Sequence, residues 1–241
     1  MSKPPASTWY ELTPLLVSDR RHVLQGAVAG GFWLASGGAA LADDVRAALT
    51  SYTRAFFTDA EWSFVLAACS RLIPSSADGP GALEALVPIF IDRQLSGDFG
   101  NASDWYMQGP HSPTANPLLG FQSPLTPAQI YRAAIPAVDT WSRQQAGKAF
   151  AELDVNVQDE ALRTIEAGKV GLAPELRDFF PLLLQNTKEG YFADPQYGGN
   201  HKMAAWVHIG FPGARGNFRE WAEKGNVRYP LGPVSISGAR A

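Results

Sequence analysis

Apolar residues recur along this chain at intervals of three and four, the spacing of amphipathic helices, and the alternation typical of strands is scarce. The clearest run follows Thr58-Asp59-Ala60-Glu61. This sequence predicts a capping box, in which the threonine hydroxyl accepts a backbone N–H and the glutamate reaches back. The apolar stripe behind it consists of Trp62, Val65, Leu66, Cys69 and Ile73. Because Pro74 interrupts the pattern, we predict a helix between the capping box and this proline.

Four further segments show helical periodicity, at about residues 81–91, 126–141, 156–168 and 174–190. Pro88 lies inside the first segment and predicts a kink there. Thr126-Pro127-Ala128-Gln129 predicts the start of the second helix, with threonine as the cap and proline in the first turn. Gly168 and Gly190 follow the last apolar positions of the other two segments and predict their ends.

Residues 96–125 interrupt this pattern with many glycines and prolines, which predict a long loop. The loop carries Trp105, Tyr106 and Phe121. A loop of this length in a compact domain usually has a function or lies against a partner. Packing on the chain's own core is the alternative for these aromatic residues. Together, the segments predict an all-α fold: a single irregular helical domain with long loops rich in proline and glycine.

Residues 1–42 have the composition of a bacterial twin-arginine export signal. The pair Arg20-Arg21 precedes an uncharged stretch rich in glycine and alanine, which ends in the small-x-small cleavage signal Ala40-Leu41-Ala42. A short membrane anchor or an N-terminal core helix is the alternative, but a spanning helix needs roughly twenty strongly apolar residues. We expect the twin-arginine (Tat) translocon to read this signal peptide, cleavage to follow Ala42, and residues 43–241 to form the periplasmic domain.

Composition limits the partners and the chemistry of the remaining 199 residues. Removing the signal takes away three basic and two acidic residues, so the net charge moves from −3 to −4. A mildly acidic domain gives no electrostatic reason to expect nucleic acid as a partner. Cys69 is the only cysteine, which excludes an internal disulfide and cysteine-rich metal sites. Its position on the apolar stripe predicts a buried, unreactive thiol.

The sequence patterns of catalysis and cofactor binding are missing from this chain. It has no Gly-x-Gly-x-x-Gly after a predicted strand, no Gly-x-Ser-x-Gly and no Cys-x-x-Cys-His haem attachment motif. His201 and His208 are seven residues apart, but no nearby carboxylate completes a clear metal motif. Glu189 and Asp194 come closest to a carboxylate pair, and capping a turn is the simpler role for Asp194. We expect no catalytic, cofactor-binding or metal-binding residue.

Turn-forming and aromatic residues are densest at 189–213, a segment called the turn block below. Its glycines and Asn200 tolerate positive φ, and asparagine can also cap the next helix. Its aromatic residues supply the large, rigid contact area of interface anchors, and packing under their own turns is the alternative. The candidate partner contacts are Tyr191, Phe192, Asp194, Tyr197, Asn200, Trp206 and Phe211. We expect a mixture, with Trp206 in the core and Tyr191 or Tyr197 at the interface.

The turn block resembles the gluconate 2-dehydrogenase subunit 3 family. The hallmark of that family is Gly-Tyr-Phe-x-Asp-Pro-x-Tyr-Gly-Gly-Asn, then a tryptophan, then Gly-Phe/Tyr-Pro-Gly. The chain carries these motifs at Gly190–Asn200, Trp206 and Gly210–Gly213. The segments Phe57–Trp62 and Leu72–Pro74 are similar to the opening of the family. The resemblance thus covers residues 57–213, and the twin-arginine leader agrees with it.

The resemblance implies a non-catalytic small subunit of a membrane-associated flavin dehydrogenase complex in the periplasm. Relatives work with a large FAD-bearing catalytic subunit and with a multihaem cytochrome c that passes electrons to membrane quinones. The small subunit carries the export signal, and the catalytic subunit crosses the membrane bound to it. FAD and haem c are therefore expected in the partner subunits. Gluconate is the expected substrate, with glucose, sorbitol or 2-ketogluconate as alternatives.

Two other classes of function are alternatives to this subunit role. A free periplasmic binding protein would use the aromatic residues of the turn block to stack on sugar rings, and this is the main alternative. An independent hydrolase or metalloenzyme lacks a nucleophile or a ligand set in this sequence. A neighbouring gene for a large FAD dehydrogenase would favour the subunit over the binding protein.

Overall fold

The structure is a computed structural model that describes residues 37–227 and 229–241. Within these residues it contains seven α-helices and no β-strand, which confirms the all-α prediction. The helices are α1 (Gly37–Ser51), α2 (Asp59–Leu72), α3 (Val87–Ser96), α4 (Pro127–Ala146), α5 (Val155–Glu166), α6 (Phe179–Phe192) and α7 (Ala204–Ile209). None of the described helices has the length and apolarity needed to cross a bilayer.

The export signal lies largely outside the described residues. Arg20 and Arg21 lie outside the described residues, so their role stays a prediction. Of the cleavage residues Ala40 and Ala42, only the backbone is described, as part of α1. Residues 41–241 form one compact unit.

The core is built around α2, which contacts α3, α4, α5 and α6. Phe64 of α2 is fully buried, and its ring centroid lies 4.7 Å from that of Phe150 and 6.1 Å from that of Phe179. Tyr131 of α4 is equally buried and meets Phe179 edge to face at 5.4 Å. Because each large buried side chain contributes about 1.5–3 kcal/mol, this aromatic cluster is a main link between α2, α4 and α6.

Helix α2 forms as its sequence predicts. The Thr58 hydroxyl accepts the Glu61 N–H, and the Glu61 carboxylate accepts the Thr58 N–H at 2.8 Å. Trp62, Val65 and Cys69 are buried on the inner face of the helix. Burial raises the pKa of the Cys69 thiol to about 12. The thiol is therefore protonated at neutral pH and unreactive, as predicted.

Two predicted features of the helices are wrong, and the structure explains both. Pro88 does not kink a helix, because α3 begins at Val87 and places the proline in its first turn, where no helical hydrogen bond is lost. Gly190 does not end α6, which continues to Phe192. A Cβ at Gly190 would lie 2.7 Å from Phe90 Cδ1. The glycine therefore serves the close approach of α3 and α6.

The long loop between α3 and α4 is present, and most of its aromatic residues pack on the domain itself. The Trp105 ring meets Phe99 at 5.8 Å and Phe121 at 4.8 Å, both edge to face. All three side chains pack against the core. Tyr106 is 79% exposed. Self-packing thus accounts for Trp105 and Phe121 but not for Tyr106.

A buried carboxylate holds the segment between α1 and α2. Asp92 of α3 accepts the backbone N–H groups of Ala55, Phe56 and Phe57 at 2.7, 3.1 and 2.9 Å. It also accepts the Tyr52 hydroxyl at 2.9 Å. Burial, followed by this hydrogen bond, raises the pKa of Tyr52 to about 12. One side chain therefore satisfies four donors and fixes the entry to α2 against α3.

Candidate partner interface

The turn block contains the end of α6, two short 3-10 helices at Pro195–Tyr197 and His201–Met203, and α7. A close backbone contact joins its two halves. The Gly190 carbonyl accepts the Asn200 N–H at 3.0 Å. At Gly199, a Cβ would overlap with the same Gly190 carbonyl. Glycine is therefore required at position 199 by the approach of another backbone segment.

Asn200 is the central residue of the turn block. It is fully buried, and its φ of 44° lies in the left-handed region, which asparagine tolerates better than most residues. Its side-chain amide donates to the Ala193 carbonyl at 2.9 Å. Its side-chain oxygen accepts the Ala205 N–H at 3.0 Å, in the first turn of α7. Asn200 therefore ties the end of α6 to the first turn of α7, although Met203 and not Asn200 is the N-cap residue of that helix.

Asp194 caps one turn and binds a distant segment. One carboxylate oxygen accepts the Gln196 N–H at 3.2 Å, as expected for a turn-capping residue. The other oxygen accepts the Ile236 N–H at 2.7 Å. Asp194 is only 7% exposed. Both carboxylate oxygens of Asp194 thus accept hydrogen bonds from within the chain. The sequence pattern does not indicate the contact with Ile236.

Tyr191 and Trp206 belong to the core of the domain. The Tyr191 hydroxyl donates to the Pro80 carbonyl at 2.7 Å, and burial raises the pKa of Tyr191. The Trp206 indole N–H donates to the Phe192 carbonyl at 2.8 Å. The burial of Trp206 agrees with expectation. Tyr191 is buried as well, which leaves Tyr197 as the tyrosine of the block available to a partner.

Three aromatic side chains of the turn block are exposed, by 45% at Phe192, 48% at Tyr197 and 43% at Phe211. Phe192 lies edge to face on Tyr191 at 4.9 Å, and Phe211 lies edge to face on Trp206 at 5.1 Å. Because these two exposed rings rest on buried ones, they are oriented before a partner binds, which lowers the entropic cost of association. The other candidate interface residues are buried and stabilise the turn block: Tyr191, Asp194, Asn200 and Trp206.

A groove of about 420 Å³ lies beside Trp206 and Phe211. The turn block forms one wall, and a segment near the end of the chain forms the other. Its lining consists of Trp206, Val207, Gly210, Phe211, Tyr229, Pro230, Leu231, Gly232, Pro233 and Ala241. Three of these side chains are aromatic and none of them is charged.

His201 and His208 contact different parts of the domain. His201 Nε2 lies 3.5 Å from Asp44 Oδ2 in α1, and the same oxygen accepts the Lys202 ammonium at 2.6 Å. The His208 ring packs against Gly79, where a Cβ would lie 2.6 Å from its Cε1. Over the residues that the structure describes, no three His, Cys, Asp or Glu side chains form a group that could hold a metal ion.

Residues 59–213 match the family model of gluconate 2-dehydrogenase subunit 3. The chain belongs to this family. The match confirms the resemblance seen in the motifs, and it extends from the first residue of α2 to the last residue of the turn block. The description of the family is that of a subunit of a dehydrogenase complex. No curated protein and no solved structure matches the chain.

Residues 214–241 lie beyond the region shared with the gluconate 2-dehydrogenase subunit 3 family, yet they complete the groove. The Ala214 N–H donates to the Val234 carbonyl at 2.7 Å, and the Ile236 N–H reaches Asp194. The prolines and glycines of this segment indicate turns. The contact between Ile236 and Asp194 joins residues 42 positions apart. A local sequence pattern does not indicate such a contact.

Proposed function

We propose that this chain is the non-catalytic small subunit of a periplasmic, membrane-associated flavin dehydrogenase complex of the gluconate 2-dehydrogenase type. It supplies the twin-arginine signal, and it escorts and stabilises the FAD-bearing catalytic subunit. A cytochrome c subunit accepts the electrons, so FAD and haem c belong to the partners. Family membership supports the subunit role, and the Arg20-Arg21 leader supports the export role.

The exposed aromatic side chains of the turn block carry this proposal. Phe192, Tyr197 and Phe211 lie within the region that matches the family, and their rings stay about half exposed. Tyrosine and tryptophan are enriched among the anchors of protein interfaces, and phenylalanine is enriched in the cores of interfaces. Buried Tyr191 and Trp206 hold Phe192 and Phe211 in place, which is what a docking subunit requires and what a disordered tail would lack.

Tyr197→Ala is expected to weaken the complex with the catalytic subunit by about 2 kcal/mol, the cost of removing an interface anchor. The melting temperature should stay nearly unchanged, because the side chain is half exposed. Tyr106→Ala is the matched control, since Tyr106 is an exposed tyrosine outside the turn block. Trp206→Ala should instead lower stability by about 3–5 kcal/mol. Co-purification with the catalytic subunit and thermal melts of each variant measure the two effects.

Normal partner binding by the Tyr197→Ala variant would remove this residue from the interface. The same conclusion follows if binding falls only in proportion to unfolding. If the wild-type chain does not co-purify with the dehydrogenase at all, the subunit proposal itself is wrong.

A second expectation concerns the mature chain, residues 43–241, expressed alone. It should carry no flavin, haem or stoichiometric metal, because the sequence lacks a dinucleotide-binding loop and a haem attachment motif. His201 and His208 also contact different parts of the domain. An absorption spectrum and a metal analysis of the purified chain test this. A flavin absorption band would contradict the assignment of FAD to the partner.

A further inference from the structure

Helix α1 is attached to the domain through few side chains. Within residues 43–51 of this helix, Val45 is buried, and Ala48 and Leu49 are only partly buried. Helix α2, by comparison, has six buried residues. A groove of about 600 Å³ lies between the two helices, lined by Val45 and Leu49 of α1 and by Leu66 of α2. Because a helix in a protein is stabilised mainly by packing of its apolar face, α1 is held weakly.

The chain is held firmly again directly after α1. The Tyr52 hydroxyl donates to Asp92 at 2.9 Å, and the same carboxylate accepts the backbone N–H groups of residues 55–57. These bonds fix the entry to α2 independently of α1. A segment with few buried contacts opens at a lower free energy than the whole domain. Helix α1 can therefore separate from the domain as far as Tyr52, while α2 keeps its position.

The contact near the start of α1 is an ion pair at the surface. Asp44 accepts the Lys202 ammonium at 2.6 Å, and His201 Nε2 lies 3.5 Å from the same oxygen. The side chains of Lys202 and Asp44 are 56% and 49% exposed. Exposed ion pairs contribute little to stability. This contact therefore holds α1 against the turn block without fixing it permanently.

The small-x-small cleavage signal lies in the same helix. The backbone of Ala40–Ala42 is helical. The backbone groups of a helix bond to each other, whereas an extended strand offers them to the protein that binds it. Asp44 and Val45, which hold α1, are the second and third residues after Ala42. A peptidase that binds an extended segment on both sides of the cleavage site therefore requires that these two contacts open.

We propose that α1 is a detachable helix, and that its release as far as Tyr52 presents Ala40-Leu41-Ala42 to a signal peptidase in extended form. The inference rests on the proposed function, because it takes residues 1–42 as an export signal. The nine released residues, 43–51, span roughly 30 Å when extended and about 14 Å as a helix. Release thus separates Ala42 from the folded domain, and α2 to α7 keep their contacts.

Hydrogen exchange of the purified full-length chain tests the detachable helix. We expect the amides of residues 43–51 to exchange at least about a hundredfold faster than those of α2, after correction for their intrinsic rates, because they exchange through local opening. Equal protection of α1 and α2 would show that the helix is not detachable. That result would leave the proposed function intact.

Lys202→Gln tests the control of cleavage, because it removes the ion pair with Asp44 and leaves the signal sequence unchanged. We expect cleavage in the periplasm to become about two- to fivefold faster, the effect of losing an exposed ion pair. Exchange of α1 should rise by the same factor, with the melting temperature nearly unchanged. Lys188→Gln is the matched control, since Lys188 is exposed on α6 and forms no ion pair among the described residues.

Pulse labelling measures the conversion of the precursor, and N-terminal sequencing locates the cut. Equal cleavage rates of the wild type and Lys202→Gln, together with faster exchange of α1 in the variant, would show that release of the helix does not control cleavage. An exported chain that keeps residues 1–42 in both forms would contradict the proposal as well. Failure of the wild-type chain to leave the cytoplasm would instead overturn the export role, and hydrogen exchange then decides on the helix alone.

Discussion

Replacing both Arg20 and Arg21 by lysine is expected to remove nearly all dehydrogenase activity from the periplasm and the membrane. A receptor that reads a pair of guanidinium groups tolerates lysine poorly, because an ammonium group lacks their planar arrangement of donors. In the proposed complex, the catalytic subunit crosses the membrane only when it is bound to this chain. Its activity and its amount in the cytoplasmic, periplasmic and membrane fractions measure the effect.

A matched double substitution separates the signal from a general effect of losing arginines. Arg46 and Arg163 are both exposed, so Arg46→Lys with Arg163→Lys should leave export unchanged. In the Arg20→Lys, Arg21→Lys strain, we expect the catalytic subunit to be retained in the cytoplasm together with this chain. Arrival of an active catalytic subunit in the periplasm of that strain would show that the escort proposal is wrong.

Asn200→Ala is expected to lower the free energy of unfolding by at least about 3 kcal/mol, the second large effect. The substitution leaves the Ala193 carbonyl and the Ala205 N–H without their partner, and each unpaired buried group costs about 1–3 kcal/mol. Alanine also adopts the left-handed conformation at a cost of about 1–2 kcal/mol. Denaturant unfolding of the wild type and the variant measures the difference.

Two further variants separate these causes. Asn200→Gly removes the same hydrogen bonds, but glycine adopts positive φ freely, so it should be about 1 kcal/mol more stable than Asn200→Ala. Asn226 has a φ of 61° and is exposed. Asn226→Ala should therefore cost only about 1–2 kcal/mol, because strain is its main effect. Equal destabilisation by Asn226→Ala and Asn200→Ala would show that the buried hydrogen bonds of Asn200 add nothing to stability.

Features that depend on neighbouring residues could be read from the sequence. The capping boxes at Thr58–Glu61 and Thr126–Gln129 are both present, because their hydrogen bonds join residues only three positions apart. Cys69 is buried because helical spacing places it on the apolar stripe of α2. The motifs of the turn block are contiguous, so membership in the family was also visible before the fold was known.

Features that depend on another part of the chain could not be read in this way. Gly190 has a local meaning, a helix end, that packing overrides, whereas Pro88 makes no kink because α3 begins at Val87. Gly190 lies within α6 because Phe90 of α3 needs the space that a side chain would occupy. Helical periodicity describes one helix at a time and contains no information on which neighbouring helix approaches it most closely.

The exposure of the candidate interface residues also depends on distant parts of the chain. Sequence alone determined an all-α domain, its capped helices and a turn block rich in aromatic residues. Only the tertiary structure decided that Tyr191 is buried and Tyr197 exposed, because the partner of the Tyr191 hydroxyl is the Pro80 carbonyl, 111 residues away. It also decided that the Ile236 N–H donates to Asp194. Exposure depends on the segments that meet in space, and contacts between such distant residues leave no periodic pattern along the chain.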